Sequence, residues 1–154
     1  MNTAGLTGPL PVSIRNIYLF RALLQRNSCF RSAFVSNILG CGIDTIEHTC
    51  LLNPMILGTP LSRRLCGSEI LVSFRGGDSV KIRLDASEWS MLDLDHECVS
   101  KALSGDLLER LISASTWEEL LSLSGRSACV RSAVETAAEL LSDPAVLAQC
   151  RQTL

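Results

Sequence analysis

Two short segments of the sequence place a histidine and a cysteine at the same spacing, each after an acidic residue. They are Glu47-His48-Thr49-Cys50 and Asp95-His96-Glu97-Cys98. Zinc is bound tetrahedrally by imidazole and thiolate groups, and the i, i+2 pair of each segment would converge on one side of an extended backbone. In a helix the same positions lie about 200° apart, and neither pair has the usual spacing of zinc ligands. The sequence therefore predicts no metal or cofactor, and a Cys2His2 zinc site at His48, Cys50, His96 and Cys98 is the alternative.

Motifs for nucleophilic catalysis and nucleotide binding are missing from the sequence. It contains no Gly-x-Ser-x-Gly turn, no Walker phosphate loop, no Gly-x-Gly-x-x-Gly turn after a strand and no EF-hand loop. We therefore expect a protein that is not an enzyme. A deep pocket lined by His48 or His96 beside a thiol would instead favour catalysis by residues that meet only in the fold.

Seven cysteines are spread along the chain. Their number is odd, no CxxC pair occurs and no secretory leader precedes them, which predicts reduced thiols in a reducing, cytoplasmic compartment. Import into an organelle through the arginine-bearing N-terminus is the less favoured alternative, because Pro9 and Pro11 interrupt a targeting helix. The apolar stretch Ile17–Leu24 contains Arg21 and is shorter than the ~20 residues of a membrane span, so no span is expected.

Charge is unevenly distributed, although the net charge is only −2. Residues 1–43 carry four arginines and no acidic residue, whereas the rest of the chain carries ten basic and sixteen acidic residues. Arg15, Arg21, Arg26 and Arg31 do not lie on one helical stripe, and the acidic remainder would repel phosphate groups. Nucleic-acid binding is therefore not expected.

The length and composition fit one folded domain, with 154 residues of which 47% are hydrophobic and 19% charged. We expect a flexible arm over residues 1–11, which are rich in glycine and proline, and a single globular domain over residues 12–154. The predicted fold class is α+β and helix-dominated, with an N-terminal helical hairpin, a central β-hairpin and a C-terminal bundle of short helices.

Apolar spacing predicts the helices. The N-terminal pair covers residues 12–25 and 29–39, with Ser28 as the cap of the second helix and Gly40 at its end. C-terminal helices are expected after Gly105, after a capping box at 115–118, over 130–141 and over 144–150.

Alternating apolar residues predict the strands. The pattern over residues 70–74 and 80–84, on either side of a turn at 75–78, is typical of a β-hairpin. The signals between residues 40 and 67 are mixed and allow at most one short strand. A further helix start is expected at 85–88.

The N-terminal helical hairpin has more apolar surface than an ordinary amphipathic pair. It holds four of the seven aromatic residues, Tyr18, Phe20, Phe30 and Phe34, and no acidic residue. A helix that is apolar nearly all round must be covered either by its own domain or by a partner. We expect a non-catalytic protein-protein interaction protein, such as an adaptor, an assembly factor or a small acidic chaperone. Its partner would be another protein or a second copy, and these four residues are the candidate contacts.

Overall fold

The structure is a computed structural model that describes residues 3, 5–61, 67–85 and 105–152. It confirms the predicted helix-dominated α+β fold class. The elements in chain order are α1 (Ile17–Arg26), α2 (Ser28–Leu39), β1 (Ile46–Leu51), β2 (Gly67–Phe74), β3 (Ser79–Asp85), α3 (Gly105–Ser113), α4 (Trp117–Ser124), α5 (Ala128–Ser142) and α6 (Pro144–Gln152). Residues 86–88 of the expected helix start lie outside the described residues.

Helix α1 begins at Ile17 rather than at residue 12, because Asn16 caps it. The side-chain oxygen of Asn16 accepts hydrogen bonds from the N–H groups of Tyr18 at 3.0 Å and Leu19 at 3.1 Å. These bonds satisfy donors that a helix start otherwise leaves unpaired. The Asn16 amide nitrogen donates to the Cys150 carbonyl of α6 at 2.8 Å. The start of α1 is thereby fixed to the last helix.

Asn27 connects α1 to α2. Its N–H group donates to a carbonyl in the last turn of α1, and its side-chain oxygen accepts the Phe30 N–H at 2.8 Å. Its side-chain nitrogen donates to the hydroxyls of Ser132 and Thr136 on α5, at 2.8 and 3.0 Å. The cap of α2 is therefore Asn27 and not the predicted Ser28. The oxygen of the Asn27 side chain caps the helix, and the nitrogen of the same side chain contacts α5.

The three strands form one antiparallel sheet in the order β1-β2-β3. The predicted β-hairpin is confirmed, with Ile70 opposite Ile82 and Val72 opposite Val80. The short strand allowed between residues 40 and 67 is β1, in which Thr49 lies opposite Val72. Ile70, Val72 and Thr49 are buried, and α2 packs against β1. This face therefore belongs to the core, and the alternate residues lie on the outer face.

Arg31 of α2 is buried, with 8% of its surface exposed. It donates to the Leu24 and Gln25 carbonyls in the last turn of α1 at 2.8 and 3.3 Å, and to the Thr49 hydroxyl and carbonyl on β1 at 3.0 and 3.1 Å. Burial lowers the pKa of Arg31 from its ordinary value, whereas carbonyls at the negative end of a helix favour the charged guanidinium. Arg31 therefore joins α1, α2 and the sheet.

The C-terminal helices form as their pattern predicts. The apolar stripe of α5 is buried. Helix α6 begins at Pro144, and the carboxylate of the preceding Asp143 accepts the Ala145 N–H at 2.9 Å. Of the helices in the described ranges, none is long and apolar enough to cross a bilayer. The buried residues of α5 are Val130, Ala133, Val134, Ala137, Ala138, Leu140 and Leu141.

The expected flexible arm is anchored where it is described. The Leu10 N–H donates to the Ser115 carbonyl at 2.9 Å, and the Trp117 N–H donates to the Gly8 carbonyl at 2.9 Å. Leu10 also packs against the core. Residues 8–10 therefore run along the start of α4.

This contact shifts the predicted capping box by one residue. The Glu118 carboxylate accepts the Gly8 N–H at 2.8 Å, and this hydrogen bond lowers the pKa of Glu118. The cap of α4 is Thr116, whose hydroxyl accepts the Glu119 N–H at 3.2 Å, and Glu119 in turn accepts the Ser115 N–H at 3.1 Å. Thr116 is therefore the N-cap instead of the predicted Ser115, and the Glu119 carboxylate reaches back to the N–H of the residue before the cap.

We predict that Arg31→Ala lowers the free energy of unfolding by about 3 kcal/mol, because it leaves buried acceptors on α1 and β1 without a donor. Urea unfolding followed by circular dichroism measures the change. Arg26→Ala is the matched control: Arg26 is an exposed arginine of the same hairpin, 3.7 Å from Glu139, and its loss should cost less than about 1 kcal/mol. Equal losses in the two variants would contradict the role of Arg31.

Candidate functional site

The four aromatic residues of the N-terminal hairpin lie in the core. Tyr18, Phe20, Phe30 and Phe34 are at most 3% exposed. The Phe20 ring meets Phe30 and Phe34 edge-on, with centroids 5.5 and 5.1 Å apart, and α1 and α2 pack against α5. This corrects the expectation that the four rings contact a partner. In this fold the chain covers them itself, and they stabilise its own core.

The zinc alternative combines two residues of β1 with two residues of the 95–98 segment. His48 and Cys50 lie on β1 either side of the buried Thr49, so both occupy the outer face of the sheet. The extended backbone that this pair needs is therefore present. His96 and Cys98 lie outside the described residues. Among the described residues, no group of three or more His, Cys, Asp or Glu side chains could hold a metal ion.

An open groove of about 500 Å³ lies between α3 and α4. Its carboxylates already stabilise the fold, since Glu118 binds the Gly8 N–H and Glu119 binds the Ser115 N–H. Neither a histidine nor a cysteine is among its described lining residues. The lining residues are Arg110, Ser113, Glu118, Glu119, Ser122 and Leu123.

A different segment, residues 52–61, is held by hydrogen bonds from one face of α1. We call it the 52–61 loop; it follows β1 and leads toward β2. Tyr18, Arg21 and Gln25 of α1 follow i, i+3, i+7 spacing and so lie on one face of that helix. Each of the three hydrogen-bonds to main-chain atoms of the loop. A helix that is otherwise buried in apolar surroundings thus directs its polar side chains at one irregular segment.

Gln25 and Tyr18 hold the loop at two points. The Gln25 amide donates to the Met55 carbonyl and accepts the Met55 N–H, both at 2.9 Å, as a neighbouring strand would. The Tyr18 hydroxyl donates to the Thr59 carbonyl at 2.8 Å and accepts the Gly58 N–H at 2.9 Å. The loop backbone is therefore paired on both sides of residue 56, as buried main-chain groups require.

Burial raises the pKa of Tyr18 above its ordinary value of 10.0. The folded chain thus favours the neutral hydroxyl, which is the form able to donate to the Thr59 carbonyl. Stabilisation from this contact is fully present below pH 10 and is lost as the pH rises through the raised pKa.

Arg21 and Asn53 fix the start of the loop to β2. The Arg21 guanidinium donates to the Asn53 carbonyl at 2.5 Å and to the Gly67 carbonyl at 2.9 Å. The Asn53 amide donates to the Gly67 carbonyl at 2.7 Å and accepts the Glu69 N–H at 2.9 Å. The Asn53 side chain thereby joins the start of the loop to the first residues of β2.

Gly58 brings the loop close to α6. It has a φ of 90°, and a Cβ at this position would lie 3.0 Å from the Cβ of Ala145. Both the backbone conformation and the close approach favour glycine here. The loop is therefore fixed by α1, β2 and α6 together.

Most of the exposed residues of the loop are apolar, although Thr59 is exposed as well. Ile56 is 76% exposed and Leu52 is 43% exposed, while Met55 between them is 5% exposed and packs into the core. Pro54 is exposed as well. The loop thus holds an isoleucine side chain in solvent while side chains of α1 hydrogen-bond to its main chain.

Sequence reasoning missed this loop. Asn53-Pro54, Gly58 and Thr59-Pro60 indicate only turns, and Leu52 and Ile56 read as ordinary apolar residues in a mixed segment. The available signal was the polar stripe Tyr18, Arg21 and Gln25 on a helix that is apolar on its other sides, which requires polar partners elsewhere in the chain.

Comparison with known proteins adds no relative from which a role could be transferred. No protein-family model, curated protein or solved structure matches this chain.

We predict that Tyr18→Phe raises the hydrogen-exchange rate of the Gly58 amide about tenfold and leaves the Met55 amide unchanged, because each amide is held by a different α1 side chain. Gln25→Leu should do the reverse. Exchange measured by NMR in the two variants provides reciprocal controls. If both amides accelerate equally in either variant, the loop is not held by these separate contacts.

Proposed function

We propose that this chain is a non-catalytic protein-protein interaction protein that binds another protein through the 52–61 loop. The single observation that carries the proposal is Ile56, which is 76% exposed on a backbone held by α1. Burying an exposed isoleucine contributes about 1.5–3 kcal/mol of hydrophobic free energy. A fixed loop also loses little conformational entropy on binding, so more of that energy is available for affinity.

The limited extent of the exposed apolar surface favours an adaptor or assembly factor over a chaperone. Over the part of the chain that the structure describes, four large hydrophobic side chains are exposed: Leu39, Leu52, Ile56 and Val80. A chaperone that shields apolar segments of its clients needs a broader apolar face, and the N-terminal hairpin that might have supplied one is buried. The proposed role is a small, specific contact with a folded partner.

The same limit favours a different protein over a second copy of this chain. Obligate homodimers bury about 2,000 Å² or more of largely apolar surface. The two exposed large hydrophobic side chains of the loop, Leu52 and Ile56, supply far less than this. The proposed occupant is therefore a partner protein with an apolar pocket that accepts the Ile56 side chain.

We predict that Ile56→Ser weakens partner binding at least tenfold and changes the free energy of unfolding by less than about 0.5 kcal/mol. A photo-crosslinking amino acid in place of Ile56, used in extract of the native source, identifies the partner, and one in place of the exposed Arg131 is the background control. Calorimetry with the purified partner then gives the Kd of each variant.

Val80→Ser is the matched control for this measurement, because it removes another exposed apolar side chain outside the loop. It should leave the Kd unchanged. An Ile56→Ser variant that binds like the unmodified chain, or a position-56 probe that yields no adduct beyond the Arg131 background, would overturn the proposal.

The zinc alternative has one observation in its favour, the shared outer face of His48 and Cys50 on β1. Metal analysis of the purified full chain separates the two proposals. The interaction proposal expects no stoichiometric zinc. One zinc per chain, lost in Cys50→Ser and in Cys98→Ser but retained in Cys41→Ser, would instead favour a zinc-stabilised regulatory protein.

A further inference from the structure

The two edges of the sheet differ in how they are covered. At the edge formed by β1, the Arg31 guanidinium of α2 donates to the Thr49 carbonyl at 3.1 Å. At the opposite edge lies β3, and no strand in the described ranges pairs with the side of β3 that faces away from β2. We call this side the β3 edge. Residues 79–81 and 83 are exposed. An exposed edge strand can pair with a strand from another molecule.

The main-chain groups that face the β3 edge follow from the pairing of β2 with β3. The Phe74 N–H donates to the Asp78 carbonyl at 2.8 Å, so these two residues form a hydrogen-bonded pair at the end of the ladder. Hydrogen-bonded and non-hydrogen-bonded pairs alternate along antiparallel strands. Ser79, Lys81 and Arg83 therefore belong to non-hydrogen-bonded pairs, and their main-chain N–H and C=O groups point away from β2.

A hydrogen bond of β1 agrees with this assignment. The Leu52 N–H donates to the Glu69 carbonyl at 2.7 Å, so Glu69 directs its main-chain groups at β1. Glu69 lies opposite Arg83, and this pair is therefore non-hydrogen-bonded, as the alternation requires.

A strand added at the β3 edge would meet an apolar face and a basic face. Val80 lies opposite the buried Val72, so it is on the core side of the sheet, where it is 37% exposed. Ile82 on the same side packs against the core. Lys81 and Arg83 lie on the outer face, where their side chains are 57% and 58% exposed. Apolar surface thus continues from the core to the β3 edge, and basic side chains lie on the other face.

A second copy of this chain is a poor occupant of the β3 edge. The antiparallel register that overlaps two copies of β3 most completely places Lys81 opposite Arg83, and the neighbouring registers in phase with it place Lys81 opposite Lys81 or Arg83 opposite Arg83. Like charges directly opposite each other destabilise a strand pair. Charged residues on edge strands also oppose self-pairing in general. The basic residues therefore select against a second copy.

Glu69 indicates which charge the outer face accepts from a neighbouring strand. Its carboxylate on β2 lies 3.8 Å from the Lys81 ammonium and 3.5 Å from the Arg83 guanidinium. A strand at the β3 edge would lie on the other side of the same two basic residues. An acidic side chain on that strand would face them across the strand pair, which is a favourable arrangement.

We propose that the β3 edge binds an extended segment of another protein in which acidic and apolar residues alternate. The main chain of this segment hydrogen-bonds to Ser79 and Lys81, its acidic side chains lie beside Lys81 and Arg83, and its apolar side chains cover Val80. The segment thereby adds a strand to the sheet. This site lies outside the 52–61 loop and does not depend on the proposed function.

A peptide of alternating glutamate and valine, as long as β3 and blocked at both ends, is the probe. At about 1 mM it should slow hydrogen exchange of the Ser79 and Lys81 amides in the full chain about tenfold, measured by NMR. The Val80 and Ile82 amides point toward β2 and should change less than about twofold. The same peptide with lysine in place of glutamate is the matched control and should bind about fivefold more weakly.

Substitutions test the charge and the apolar contact separately. Lys81→Glu should weaken binding of the glutamate peptide about fivefold and strengthen binding of the lysine peptide by a similar factor, because the charge that faces the added strand is reversed. Val80→Ser should weaken binding of both peptides about threefold. Ile56→Ser should bind both peptides as the unmodified chain does, which separates this site from the proposed loop interface. Fluorescence anisotropy of labelled peptides gives each Kd, and circular dichroism verifies that each variant is folded.

Several results would overturn the proposal. One is no slowing of the Ser79 and Lys81 amides, or slowing that falls on another element. Another is equal affinity for the glutamate and lysine peptides. Protection of the Ser79 and Lys81 amides without any peptide would mean that another part of the same chain covers the β3 edge. Protection that rises with protein concentration alone would mean that a second copy occupies it.

Discussion

A buried helix must find a partner inside the protein for every polar group that it carries, and α1 is the helix on which this constraint falls hardest. Residues 18–24 of α1 are all buried, and they include Arg21. Water does not reach the polar side chains of this buried stretch, so each of them must hydrogen-bond to another part of the protein. Hydrogen bonds of Asn16 join α1 to α6, and those of Asn27 join it to α5. Hydrogen bonds of Arg31 join the last turn of α1 to the sheet. These hydrogen bonds fix where α5, α6 and the sheet lie relative to α1.

The same constraint explains the order of the 52–61 loop. Loops normally lie on the surface and lose their shape easily, because water satisfies their main-chain groups. Here Tyr18, Arg21 and Gln25 supply the hydrogen bonds instead. The polar side chains of α1 and the main-chain groups of the loop hydrogen-bond to each other. The loop backbone is thereby held in place while its apolar side chains project into solvent. The core of the fold and the candidate site therefore share one set of hydrogen bonds.

Local sequence patterns predicted where the helices and strands lie better than they predicted which parts of the chain contact them. Helix α5 could be predicted because its buried stripe recurs at helical spacing, and the β-hairpin because its residues alternate around a glycine turn. Apolar residues on all sides of α1 indicated that something covers it, but periodicity does not reveal whether the cover is the same chain. The loop was missed because its contacts join residues 30 to 41 positions apart, which no local window contains. The hydrogen bond between Gly8 and Glu118 was likewise beyond any local pattern, because the two residues lie 110 positions apart.

The tie between Asn16 and Cys150 has a consequence for the chain as it is synthesised. Helices α5 and α6, which pack against α1, follow it in the chain, so a nascent polypeptide carries an uncovered apolar hairpin until both have emerged. A product that terminates early exposes Phe30 and Phe34 permanently and is prone to aggregate or to be captured by cellular folding machinery. The apolar surface of the N-terminal hairpin is thus exposed only in molecules that lack α5 and α6, and it is buried in the folded chain.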